Sequence, residues 1–309
     1  MTQLTAQEVL ARVQSGKGLV QMELSAVDLS GLSLEEGNFA EAYLRRAVFD
    51  QALCRGADFS GATLIMASLR NADLQEALFV NAVLTHADLE TANVGGMDAS
   101  GAKLYGASLG GLKGMSASLN EADFRESKGT GFCFDMVSAL SASFNRAEFV
   151  AASFKGADLR RSHWKQAHLT RCAFTDAVLE RAELSQANLS GAVLTSANCL
   201  NADFRDANLT GASLDKSQLD WTDFTQAVMT DANCQAAVLF NADLTGADLS
   251  RTNFAEANLQ EASLENAQLE GTNFAGSNVR GALFTDTKGL SDEQCKWLKE
   301  QGALNVPQS

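Results

Sequence analysis

Six cysteines, three histidines and 38 carboxylates are the residues of this 309-residue chain with the greatest capacity for chemistry. Thiolates ligate zinc or act as nucleophiles, imidazoles ligate metals or carry protons, and paired carboxylates do acid–base work. Their spacing supports none of these roles. No two cysteines form a CxxC pair, which a zinc site of the usual kind needs. His163 and His168 are five apart and His86 stands alone. The sequence contains no GxxxxGK[ST] loop, HExxH helix or GxGxxG fingerprint, and the glycines of Gly106–Gly114, although Gly106–Gly110 spells GxSxG, lack the strand-then-helix context that a nucleophile elbow or phosphate binding needs. The chain therefore reads as non-enzymatic, with no catalytic, cofactor or metal residue assigned.

The elements that position these residues follow from a period of five. Between Ala182 and Leu219, alanine recurs at 182, 187, 192, 197, 202, 207 and 212. Leucine or phenylalanine falls two residues later at Leu184, Leu189, Leu194, Phe204, Leu209, Leu214 and Leu219. Helices bury residues three and four apart and flat strands every second one, so a sustained period of five means a chain that changes direction every five residues, a solenoid. The register holds without a slip from Leu24 to Phe284, and it accounts for most of the cysteines. Cys54, Cys199 and Cys234 occupy central slots and Cys172 an alanine slot, where each serves as a small apolar group.

This pattern resembles the pentapeptide-repeat family, whose motif reads A(D/N)LXX. The resemblance implies an all-β solenoid, a right-handed quadrilateral parallel β-helix with one pentapeptide per side. Twenty residues then make a coil, and the repeats would give about thirteen coils stacked at ~4.8 Å, on the order of 60 Å in all. Side chains twenty apart should align, which predicts ladders of Phe39, Phe59 and Phe79, of Phe134, Phe154 and Phe174, and of Phe124, Phe144 and Trp164.

Taken in order, residues 1–18 read as a capping helix, with Thr5 and Glu8 as a capping box and Val9, Leu10 and Val13 as the apolar side. Residues 19–109 are the N-terminal part of the β-helix. At 110–141 the pattern weakens: Gly114, Gly129 and Ala139 stand in central slots, and Leu112, Ser127, Phe132 and Val137 replace alanine. A kink or a loop, with 125–134 the first choice, is one reading there; a continuous, underpacked coil is the other. Repeats resume over 142–287. Residues 288–309 read as a C-terminal helix and tail, in which Leu290, Cys295, Trp297 and Leu298 supply an apolar side for a lid or for homodimerisation.

Net charge is −14, which disfavours direct binding to nucleic acid or an anionic membrane and favours basic partners or plain solubility. No signal peptide or stretch of 18 apolar residues is seen, and unpaired cysteines suit a reducing compartment. The chain reads as cytoplasmic and bacterial, with export independent of a signal peptide left open. Charge is uneven: Arg125–Arg181 holds nine Lys/Arg against six Asp/Glu, and Asp203–Glu270 holds three against twelve. Glu183, Asp203, Asp223 and Asp243, spaced by twenty, should form one outward column. Leu200, Asp220 and Phe240 should form another with Trp221 beside it, flanked by Val178 and Val238. Exposed aromatics beside acids have the character of a protein-binding hot spot. The leading expectation is a protein–protein interaction scaffold. The resemblance also suggests a DNA mimic that occupies a type II topoisomerase such as DNA gyrase, or an effector or adaptor of a bacterial secretion system.

Overall fold

The five-residue period is a succession of tight turns. At Leu24–Val27 the amide of Val27 donates to the carbonyl of Leu24 at 3.2 Å, and Ala26 has φ +57°. A positive φ at the third turn residue is the mark of a type II turn. In the computed structural model every fifth residue from Gln21 to Asp286 has this left-handed backbone, whether glycine or not. For an L-residue that conformation costs about 1–2 kcal/mol. Each such residue can be held there by the neighbouring coil: the amide of Ala26, for example, donates to the carbonyl of Arg45 at 2.8 Å. Further turns close at Leu32, Gly37 and Ala42 on Leu29, Leu34 and Phe39, giving four corners in twenty residues.

Residues 4–308 are described, in two compact units, Met1–Asp158 and Leu159–Ser309. In the first, helix α1 (Ala6–Gln14) carries the expected capping box of Thr5 and Glu8 and buries Val9. Parallel pairing then runs in steps of twenty from Glu23 with Tyr43 to Ser138 with Asp158. Most pairs are isolated bridges, because a turn interrupts each side after one or two ladder bonds. The only runs long enough to be strands, among the described residues, are β1 (Lys128–Thr130) and β2 (Glu148–Val150). An all-β solenoid is thus mostly turns.

No loop leaves the coil at 125–134, since Lys128–Thr130 pairs in register with Glu148–Val150 and Cys133 pairs with both Lys113 and Ser153. Nor is this region hollow. A Cβ on Gly114 would lie 2.5 Å from the Phe134 ring, and one on Gly129 would lie 2.8 Å from the Phe132 ring. The glycines make room for phenylalanines. Phe132, in an alanine slot, meets Phe149 edge-on at 4.7 Å and Phe134 at 5.1 Å. The aligned ladders hold where this wedge is absent: Phe39, Phe59 and Phe79 stack at 5.0 and 4.7 Å, and Phe124 on Phe144 at 5.1 Å. Phe134 and Phe154 are instead tilted by 57°.

In the second unit pairing runs from His163 with Glu183 to Leu283 with Leu304. Phe204 stacks on Phe224 at 5.1 Å, and Trp164 meets Phe174 edge-on at 5.9 Å. Serine and threonine that replace alanine here stay buried by donating to backbone carbonyls: Ser217 to Leu214, Thr222 to Cys199, Thr252 to Met229. The indole of Trp164 donates to Ser162 at 2.7 Å. Helix α2 (Asp292–Glu300), capped by Ser291 with Gln294, closes this unit, and the Gln294 amide donates to the Thr272 carbonyl at 2.8 Å.

Candidate protein-binding face

The slot before each central residue explains the Asp or Asn so frequent there. Its side-chain oxygen accepts the amide of the residue after the centre, as Asn188 does from Ser190 at 3.1 Å, Asn208 from Thr210 at 3.0 Å and Asp243 from Thr245 at 2.9 Å. This is an Asx turn, and it aims the rest of the side chain outward.

The acidic column exists as read. Glu183 pairs in parallel with Asp203, Asp203 with Asp223, and Asp223 with Asp243. It is less repulsive than a row of bare carboxylates, because Arg205 forks onto Asp203 (2.7 and 2.9 Å) and reaches Asp223 at 3.5 Å. His163 Nδ1 lies 3.0 Å from Glu183. Burial alone would push the Asp203 carboxyl up; the hydrogen bonds from the Arg205 side chain and amide, with its charge and that of Lys165, outweigh this and hold it below the usual carboxylate range. Arg205 and His163 are neighbours of the column that column-by-column reading missed. The signal for Arg205 was local, an Asp-x-Arg spacing that recurs at Asp123 and Arg125 with the same fork.

The apolar column meets the acidic one at the corner Leu219–Thr222, closed by the Thr222 amide on the Leu219 carbonyl. Trp221 is the left-handed residue of this turn, with φ +58°, and its amide donates to the Phe240 carbonyl at 3.0 Å. The indole stands 56% exposed and takes the Phe240 ring edge-on at 5.9 Å and 85°. Leu200, Asp220, Phe240, Val178 and Val238 are half-buried. Burial between apolar neighbours raises the Asp220 carboxyl, opposed only by its own backbone amide. Leu200, Asp220, Trp221 and Phe240 therefore come together, with Asp223 on the far side of the turn.

Cys295 and Leu298 are buried, and Trp297 and Leu290 half-buried. Trp297 lines a hollow of about 290 Å³ with Thr272, Phe274, Ser291 and Gln294. All six cysteines are free thiols. Burial pushes Cys54 and Cys199 up to about 12, so neither is a thiolate at neutral pH. Among the described residues no helix is long and apolar enough to cross a membrane.

Turns of five, pairing at twenty and an outward face of mainly polar side chains define a solenoid of the pentapeptide class. The chain belongs to the pentapeptide repeat family. The family model "Pentapeptide repeats" matches residues 23–52, 38–75, 52–90, 77–112, 147–186, 172–211 and 187–226, and "Pentapeptide repeat region" matches 222–289. The family fold is a right-handed quadrilateral β-helix. Among solved structures, the chain is similar to HetL, a pentapeptide repeat protein involved in heterocyst differentiation regulation in the cyanobacterium Nostoc sp. strain PCC 7120, at 25% identity over 91% of this chain and 97% of HetL, TM-score 0.28. A pentapeptide repeat protein of the Arabidopsis thaliana thylakoid lumen is 30% identical over 48% of this chain and 80% of its own, TM-score 0.20. QnrB1, a plasmid-mediated fluoroquinolone resistance protein, is 20% identical over 70% of this chain and 88% of its own, TM-score 0.28. No curated protein matches the chain significantly.

Proposed function

We propose that this protein is a non-enzymatic interaction scaffold whose second unit presents the Trp221 corner and the acidic column beside it to a protein partner. One observation carries the reading: an indole more than half exposed, braced by Phe240 on a paired backbone, amid outward slots that are otherwise mainly polar. A large aromatic held rigid at the surface loses little entropy on binding and removes much apolar area from water, which is how interface anchors work. Capture of partners from cell lysate by the wild-type protein and by Trp221→Ala and Phe240→Ala tests it. Loss of specific partners in both variants supports the reading; an unchanged set sinks it.

A second reading rests on the acidic column. Carboxylates at the strand-to-strand spacing of ~4.8 Å offer a DNA-binding enzyme a regular negative row, which favours a DNA mimic acting on a type II topoisomerase such as gyrase. Arg205 works against this by neutralising the middle of the row. In a gyrase supercoiling assay a mimic alters activity at low stoichiometry and loses its effect as salt rises; an inert protein at equimolar ratio removes this reading. For the C-terminus, burial of Cys295 and Leu298 inside the chain supports a lid rather than a dimer contact. Light scattering on the full chain and on one ending at Thr287 separates the two: a monomer that begins to aggregate on truncation is a lid, and a dimer that becomes a monomer is an interface.

A further inference from the structure

Asp220 stands in an unusual setting for a surface carboxylate. Leu200 and Phe240 occupy its column one coil to either side, Trp221 follows it in sequence, and burial disfavours its charge. No ion pair reaches it among the described residues. The two arginines nearest in the pattern are engaged elsewhere: Arg205 with Asp203 and Asp223, and Arg181 with Glu180. By contrast Asp123, Asp203 and Asp231 each hold a guanidinium. An anion kept among apolar groups without a cation is costly unless a partner supplies one.

We propose that the Asp220–Trp221–Phe240 corner binds a single arginine side chain of the protein partner, its guanidinium lying on the exposed indole face and its fork of N–H donors on the Asp220 carboxylate. The geometry selects arginine over lysine. Phe240 meets Trp221 edge-on at 85°, which leaves the indole a face for a flat cation, and a planar guanidinium can stack on a ring while donating two parallel hydrogen bonds to one carboxylate. A lysine ammonium, more strongly hydrated and a point donor, satisfies one of these at a time. Asp223 and Asp243, on the neighbouring side, draw a basic segment toward the corner. The inference rests on the interaction reading above and sharpens it: the partner carries an exposed arginine in a basic, extended segment.

The test uses the full-length protein and a fluorescein-labelled, N-acetylated octapeptide of alternating serine and arginine. A second peptide replaces each arginine by citrulline, which keeps the shape and removes the charge. By fluorescence anisotropy at low salt the arginine peptide is expected to bind at least ten-fold tighter than the citrulline peptide. Asp220→Asn should cut that ratio at least five-fold, and Trp221→Ala should weaken the arginine peptide while Trp221→Phe largely retains it. Circular dichroism on each variant confirms the fold. No binding of the arginine peptide overturns the proposal, as does a ratio that Asp243→Asn lowers as much as Asp220→Asn, since general attraction then explains it. Lysate capture keeps the two readings apart. Capture that needs Trp221 but survives Asp220→Asn leaves the scaffold standing and removes the arginine site; capture indifferent to Trp221 removes both.

Discussion

The stretch Gly110–Phe154 of the first unit and the run Ala182–Leu219 of the second obey the same backbone rules with opposite interiors. In the second run alanine and leucine recur with few exceptions, Cys199 and Phe204 in central slots and Ser217 in an alanine slot. In the first, glycine holds central slots and phenylalanine an alanine slot, yet Lys113, Cys133 and Ser153 still pair twenty apart. What is common to both is the left-handed residue at every fifth position, with a closing hydrogen bond beside most of them. The winding is set by the backbone, and the interior has only to be full. Volume removed at Gly114 and Gly129 is restored by Phe134 and Phe132, as close-packed interiors require.

The hardest test of that comparison removes the wedge. Phe132→Ala should cost about 3–5 kcal/mol, as large aromatic truncations in full cores do, read as a lower denaturant midpoint. A loss under about 1 kcal/mol would mean that the region is loose and that Phe132 fills nothing. Next comes a substitution that the repeat pattern recommends. Gly114→Leu installs the family's own central residue, but its Cβ would lie 2.5 Å from Phe134 and 3.0 Å from Val94. Overpacking of this kind costs about 1–3 kcal/mol. Adding Phe134→Leu should recover most of the loss, a coupling that distant sites do not show. In the regular run Ala187→Phe should be as harmful.

These contrasts mark what the sequence made legible. A covalent period of five fixes which residues face inward, so the coil, the Phe39–Phe59–Phe79 ladder, the column from Glu183 to Asp243 and the Trp221 corner could all be placed by counting. Both capping boxes were also readable, because Thr5 with Glu8 and Ser291 with Gln294 act within four residues. Compensation between slots was not. Gly114 and Phe134 share a column, but nothing in a one-slot reading says that an absence at one is filled from the other, so the weak pattern suited a kink or loop as well as an underpacked coil. Ion pairing was missed for a similar reason. Arg205 reaches back two residues to Asp203 and up one coil to Asp223, so its role lies between columns.

The backbone rule itself can be sharpened by a smaller effect. Ala151 in the first unit and Ala236 in the second hold left-handed slots at φ +52° and +54°. Glycine there removes a strain of about 1–2 kcal/mol and adds about 0.5–1 kcal/mol of chain entropy lost on folding. Ala151→Gly and Ala236→Gly should each stabilise by up to about 1.5 kcal/mol, and by similar amounts if the turn rather than the interior sets the fold. A gain in one unit and a loss in the other breaks the comparison.

The smallest expected effect concerns charge, and it separates two aspartates seventeen residues apart. Asp203, held down by Arg205, has a folded pKa below its unfolded one, so its contribution is present above the unfolded value and is lost as pH falls through the folded one. Asp220, raised by burial, has the reverse sign: its charged form opposes folding, and that cost is relieved as pH falls through its raised folded value. Below the ordinary carboxylate value of about 4, Asp203→Asn should therefore flatten the loss of stability with acid, while Asp220→Asn should stabilise the protein at neutral pH and, by removing a relief that falls above about 4, steepen the limb there. Exposed pairs contribute roughly 0.2–1 kcal/mol, so the measurement is a set of denaturant midpoints between pH 3 and 7 for the wild type and both variants. Parallel curves for the two variants would show that neither Arg205 nor the apolar column acts on its carboxylate, and the corner would then hold no latent preference for a cation.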